Sequence, residues 1–361
     1  MPRNSGGAPA AKTAAWPRVV LALAIGSVGG AIFDVLGLPL AWMLGAMTAT
    51  AIASVAGVRL ATQRHLRGGM IVVLGVMLGA AFTPDILGRL SAWPVSLAAL
   101  VPYCAVTALF VGLYFRRVVG FDPPTAYFCA APGGLSEMVI VGGAFGGDER
   151  RIALIHGMRV FLVVMAIPLA LQAGGLDVAG GRGAGRVYLG EVDWGEMALL
   201  AGCGVVGVGL ARLVRLQAGY ILGPMLVSGA VHITGLSHAQ LPWEVIAASQ
   251  VVIGSALGTR FSGIAVAVIF RTLGQAIGAT AIMLVISLGF AGVLTPALEL
   301  PFAAVLLAFA PGGVAEMSLV ALALDIDTAF VATHHLVRIA IVVALAPLAW
   351  RAFSGPPPTS T

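Results

Sequence analysis

Long apolar windows separated by short polar punctuation run through most of the chain. Val19–Leu36 and Leu38–Val58 are two such windows, each close to the ~20 helical residues needed to cross a hydrocarbon core. The pattern predicts helices at 19–36, 38–57, 69–83, 93–115 and 152–172, and again at 196–211, 218–236, 245–259, 263–292 and 329–350. Two further apolar stretches, 123–146 and 301–325, are broken in the middle. The first break reads Ala131-Pro132-Gly133-Gly134-Leu135-Ser136-Glu137-Met138, and the second Ala310-Pro311-Gly312-Gly313-Val314-Ala315-Glu316-Met317.

Composition sets what these windows mean. Hydrophobic residues make up 59% of the 361 residues and charged residues 10%, against about 25% charged in a soluble domain. Too little polar surface is left to cover a water-soluble fold, so the sequence predicts an all-α polytopic membrane protein. Its net charge of +5 does not indicate a nucleic-acid face. The arginines fall in small groups between windows (Arg59, Arg64 and Arg67; Arg116 and Arg117; Arg212 and Arg215), the distribution of cytoplasmic loops. Arg18 opens an apolar run with no small-residue cleavage site behind it, which reads as a retained span rather than a removed signal peptide.

The two breaks belong to a longer correspondence. Pro132, Gly133, Gly134, Glu137 and Met138 match Pro311, Gly312, Gly313, Glu316 and Met317 at an offset of 179 (316 − 137). The same offset carries His156 to His335, Arg159 to Arg338, Pro168 to Pro347, Gly75 to Gly254 and Gly79 to Gly258. Register held over so many positions predicts a tandem duplication. It divides the chain into a tail (1–17), a first membrane repeat (18–172), a polar linker (173–195), a second repeat (196–351) and a tail (352–361). Each repeat holds about five transmembrane helices plus one interrupted segment. If that segment crosses fully the repeats are parallel; if it enters and returns they are inverted. Loop charge favours inversion, because only then do Arg150, Arg151, Arg212, Arg215 and Arg260 all fall inside, with the linker outside.

Proline removes a backbone donor, and paired glycines lose the most entropy on becoming helical, so each Pro-Gly-Gly interrupts its helix. Backbone freed at membrane depth is tolerated only inside protein or along a watery cavity. A helix restarting after the break has Glu137, or Glu316, in its first turn, where the dipole favours a carboxylate. His156 and Arg159 are three residues apart and share a helix face, as do His335 and Arg338. Together with Ser136 these residues form a candidate binding centre for a small polar solute and a coupling ion, in a transporter-like architecture. The alternative is structural: Glu137 with Arg159, and Glu316 with Arg338, as buried pairs that only neutralise each other. Arg271 lies well inside an apolar window and either pairs with an acid or snorkels, and Asp34 and Asp85 sit near span ends. The six tryptophans fall near predicted span ends as an aromatic belt would. Small residues four apart, Gly75 with Gly79 and Gly254 with Gly258, suit helix packing. Cys104, Cys129 and Cys203 share no close spacing and read as small buried side chains, with no metal or other cofactor implied.

The twin Ala-Pro-Gly-Gly-x-x-Glu-Met segments, each followed by His-x-x-Arg, resemble the AbrB family of bacterial membrane proteins, and the likeness runs from about 19 to 350. Members of that family carry an internal membrane duplication. The resemblance implies the fold and the membrane location, and it carries two functional labels: regulator of gene expression and ammonia monooxygenase. Oxidation of ammonia needs clustered His and carboxylate ligands. Here only His334 and His335 are adjacent, and neighbours on a helix point about 100° apart. The residues therefore point to a secondary transporter that is not an enzyme. A transport-like membrane sensor acting on gene expression without touching DNA is the alternative. Solute, coupling ion and oligomeric state are left open.

Overall fold

The structure, a computed structural model, describes residues 16–82, 93–175, 187–216, 218–324 and 326–354. Most of both expected tails, the centre of the linker, Asp85 and Asp325 lie outside these residues. The described residues form fourteen α-helices and no strand. They are α1 (Trp16–Val35), α2 (Ala41–Val55), α3 (Arg64–Ala80), α4 (Trp93–Leu113), α5 (Pro123–Ala130), α6 (Leu135–Ala144) and α7 (Glu149–Ala173). After the linker come α8 (Trp194–Leu213), α9 (Gly219–Ile233), α10 (Trp243–Gly258), α11 (Val266–Leu298), α12 (Phe302–Phe309), α13 (Val314–Ala323) and α14 (Thr328–Ser354). A π-helical turn, Tyr114–Val119, extends α4.

Six of these helices are long and apolar enough to cross a membrane: α1, α4 with its π turn, α7, α8, α11 and α14. The chain is therefore a multi-pass membrane protein. Four of the ten expected spans are not among the six: those at 69–83 and 245–259 form helices of 17 and 16 residues, α3 and α10, and those at 38–57 and 218–236 form helices of only 15 residues each, α2 and α9. Their limits are set by backbone chirality. Leu40 and Ala218, immediately before them, are left-handed (φ 46° and 53°), and Gly57 and Gly235 reverse the chain behind them at φ 91° and 72°.

The helices sort into two packed groups. In the first, α1, α2 and α3 pack with α8, α9 and α10. Glycines decide how closely they approach. A Cβ on Gly45 would stand 2.1 Å from the Gly29 carbonyl oxygen, and one on Gly223 2.0 Å from that of Gly207, so α1 crosses α2, and α8 crosses α9, backbone to backbone. Gly75 and Gly79 of α3 seat against the carbonyls of Ile221 and Met225 on α9. Gly254 and Gly258 of α10 seat likewise against Met43 and Met47 on α2. The small-residue faces seen in the sequence thus join α3 to α9 and α10 to α2, which lie far apart along the chain.

The second group contains α4–α7 and α11–α14 and holds both breaks. The first interrupted segment folds back on itself. Its far end returns to its start, where the Asp148 N–H donates to Thr125 Oγ1 at 2.8 Å and Phe145 stacks on Phe128 with centroids 5.8 Å apart. Helix α4 fixes the directions of its neighbours. Its end, Phe115, stacks on Phe121, over which the Arg151 guanidinium lies at 5.3 Å, so α7 starts there. Its beginning, Trp93 and Ser96, meets Phe330 and His334 at the start of α14. Helices α7 and α14 therefore begin at opposite ends of α4. Each tryptophan lies near a helix end, and Trp93 is buried in this aromatic contact.

Candidate functional site

Helix α5 stops because Ala131 turns extended (φ −60°, ψ 126°) and Pro132 cannot donate to the turn behind it. Gly134 is the N-cap of α6, also extended, which puts Glu137 at the third helical position. The acid folds back over the glycine: a Cβ on Gly134 would lie 2.1 Å from Glu137 Oε2. The second break repeats this, with Gly313 as N-cap and Glu316 Oε2 2.1 Å from where its Cβ would be. Glycine at these caps leaves room for a carboxylate over the positive end of the helix.

The freed carbonyls are bound by the following long helix. Arg159 of α7 donates to Ala131 O and Gly133 O, both at 3.3 Å. Arg338 of α14 donates to Ala310 O, and to Gly312 O at 2.9 Å. His156 Nε2 bonds to Phe128 O at 2.8 Å, and His335 Nε2 to Leu307 O at 2.9 Å, so each imidazole donates to the last turn before its break. The sequence separations agree: 28 residues for each histidine bond, and 28 and 26 for each arginine's two. The second assembly is the tighter, because Arg338 also donates to His335 Nδ1 at 3.1 Å, whereas His156 Nδ1 has no hydrogen-bond partner among the described residues.

Both arginines and both histidines are buried, and the two guanidiniums lie within electrostatic reach of each other. Helix α4 touches both interrupted segments. The Tyr103 ring packs edge-on to Phe309, just before the second break, at 5.2 Å. The next residue, Cys104, lines one cavity of about 180 Å³ with Ala131 and Pro132 of the first. Gly133 is approached from α14 by Val342, which would stand 2.8 Å from an added Cβ.

The paired-acid alternative is overturned. The ion pair found among the described residues is Arg151–Asp148, on the surface, and neither Glu137 nor Glu316 bridges to an arginine. The physical reason is competition: each arginine already faces two carbonyls that the break has stripped of helical donors, and each acid is drawn to its own helix start. Glu316 is 6% exposed, makes no hydrogen bond among the described residues, and lies within electrostatic reach of Arg260, in the turn after α10. Glu137 is half-buried and Ser136 is exposed, so Ser136 adds no hydroxyl to the buried centre.

The pattern missed Tyr103 and Ser287. Their hydroxyls lie 3.2 Å apart, and Ser287 Oγ shares its proton between Met283 O at 2.9 Å and Phe309 O at 3.2 Å, so that α4 and α11 meet at the end of α12. A tyrosine inside an otherwise apolar span was the available signal. Histidines 334 and 335 diverge as their spacing required, His334 towards Ser96 and His335 towards Leu307. All three cysteines are buried. Among the described residues no three His, Cys, Asp or Glu side chains converge as a metal site would need.

Fold and site together define a multi-pass, all-α membrane protein with two interrupted helices, each bound at its break by a buried arginine and histidine. The chain belongs to the AbrB family, whose model, described as transition state regulatory protein AbrB, matches residues 42–354. It is similar to the uncharacterized protein YhjN of Bacillus subtilis strain 168, 27% identical over 358 residues that cover 91% of each chain. It is equally similar, 27% identical over 311 residues, to an Escherichia coli K12 protein named as a candidate regulator, AbrB; that match covers 86% of this chain and 89% of the relative.

Proposed function

We propose that the protein is a secondary transporter of a small polar solute, driven by an ion or proton gradient, built from two inverted repeats in a bacterial inner membrane. The observation that carries this reading is the matched pair of helix breaks, each held open from the next long helix by one arginine and one histidine at the same sequence separations. Interrupted helices in corresponding positions of two halves are the transporter arrangement for binding near mid-membrane. Three relationships support duplication and inversion. Six of the seven corresponding helices start 178 or 179 residues apart (194 − 16 = 178; 314 − 135 = 179). The first broken segment returns to the side it entered from. Helices α7 and α14 start at opposite ends of α4.

In this reading the arginines position unwound backbone, and the acids carry the exchangeable charge. Glu316 is the better candidate for the coupling ion, because it is nearly buried without being locked into a salt bridge. Motion takes place between the two helix groups, with the glycine-seated first group as the frame. No enzymatic step is assigned. The test begins with a thermal-shift screen of purified protein against metabolites. Uptake of labelled hits into proteoliposomes with and without a proton gradient follows. Accumulation that collapses with the gradient supports transport.

The names of the family and of one relative favour a second reading, a membrane sensor that affects gene expression through a partner. Binding of a hit without any gradient-dependent uptake would select it.

A further inference from the structure

A cavity of about 290 Å³ lies where α7 and α11 begin, away from the breaks. Three arginines, Arg150, Arg151 and Arg271, line it against a single acid, Asp148. Asp148 is committed to Arg151 at 3.1 Å, which leaves Arg150 and Arg271 without a counter-charge in the cavity. Arg271, expected well inside a span, is instead in the second turn of α11 and exposed, and among the described residues it makes no hydrogen bond or ion pair. Thr272 and Gln275 add neutral hydrogen-bonding groups on the same helix, and Leu154 and Val268 give the cavity an apolar wall.

Helix packing does not demand this arrangement. At the other end of α4, where α14 begins, the comparable junction is filled by rings: Trp93 lies 5.8 Å from Phe330, and Phe330 4.0 Å from His334. Aromatic filling closes one junction, whereas the other keeps an open, cationic cavity. Guanidinium forks with amide and hydroxyl neighbours match the oxygens of a tetrahedral phosphate. A basic pocket between helices at the end of their spans is also where an anionic headgroup would sit.

We propose that this cavity is a phosphate-binding site, with Arg150 and Arg271 as the charged ligands and Gln275 and Thr272 completing the shell. The apolar wall beside it suits a phosphate that carries acyl chains, as in an anionic phospholipid. A soluble phosphate ester shares the same recognition chemistry. The site is independent of the transport reading, since neither break contributes to it.

The test uses the full-length protein purified in mild detergent. In one arm, phosphatidylglycerol and phosphatidylcholine are added and retained lipid is counted by native mass spectrometry. In the other, inorganic phosphate is titrated while thermal stability is followed. The variants are Arg150→Gln, Arg271→Gln and, as a control at a distant exposed arginine, Arg64→Gln. Selective retention of phosphatidylglycerol, lost about tenfold on removing either cavity arginine and unchanged in Arg64→Gln, establishes a lipid site. Stabilisation by inorganic phosphate with the same variant dependence, and no lipid selectivity, establishes a soluble phosphate ligand. Indifference of both readouts to Arg150→Gln and Arg271→Gln overturns the proposal. The thermal unfolding of each variant without ligand checks that it is folded.

Discussion

The Arg338 guanidinium on α14 donates to the carbonyl of Gly312 at 2.9 Å, and so holds open a helix break 26 residues upstream. Each charge-assisted bond of this kind is worth about 1.5–3 kcal/mol, and a buried carbonyl that loses it has no water to turn to. Arg338→Gln is expected to lower the thermal unfolding temperature of the purified protein clearly. Arg159→Gln, whose bonds are 3.3 Å long, should lower it less. Adding Glu316→Gln to Arg338→Gln should restore nothing, since the two residues are not a pair. Recovery of stability in the double variant would refute this account.

Glu316→Gln keeps the shape of the acid and removes its charge. On the proposed function it folds and inserts normally but loses gradient-driven accumulation in proteoliposomes, while Glu137→Gln retains a measurable part. The difference follows from exposure: Glu316 is 6% exposed, whereas Glu137 is half-buried. Full uptake by Glu316→Gln would remove it from the coupling step.

Glycine-to-alanine substitutions should separate frame from site. Gly45→Ala drives a methyl into the Gly29 carbonyl, and the helices must move apart, at about 1–3 kcal/mol for overpacking. A poor yield of folded protein is expected. Gly134→Ala meets the far end of the Glu137 side chain first, so the protein should fold with that carboxylate displaced. Size-exclusion profiles and melting temperatures of the two variants provide the comparison.

Topology can be read with cysteines, because Cys104, Cys129 and Cys203 are buried and should give little background. Inverted repeats place Tyr188 on the outer face and Val214 on the cytoplasmic face. An impermeant maleimide should label Tyr188→Cys in cells whose outer barrier alone is opened. Val214→Cys should label only after the inner membrane is permeabilised. The reverse pattern would support parallel repeats.

Much of this architecture was legible without coordinates. The apolar windows anticipated the helices to within a few residues, and the Pro-Gly-Gly runs marked both breaks, because these features depend on local chemistry. Hydrocarbon length, a missing donor and the backbone entropy of glycine act over a handful of neighbours. The shared face of His156 and Arg159 was legible for the same reason. What the chain could not reveal was the choice of partner. An arginine facing both a carboxylate and freed carbonyls is equally plausible in either contact on paper, and only the fold put the carbonyls of Ala131 and Gly133 within its reach.

Distance along the chain explains the rest. Gly75 and Gly79 announce a packing face but not that α9 will seat on it, since Ile221 and Met225 lie more than a hundred residues away. Tyr103 is marked in the sequence only as a tyrosine in an apolar span, and the fold supplies its partners, Ser287 and Phe309. Arg271 seemed buried in a span because its neighbours are apolar, yet the helix begins only five residues earlier and the side chain is exposed. The sequence by itself determined the membrane class, the helices, the breaks and the twin set of polar residues, all of which follow from composition and short-range geometry. Tertiary structure alone decided which groups meet, because desolvation and hydrogen-bond competition are settled between helices that the chain order keeps apart.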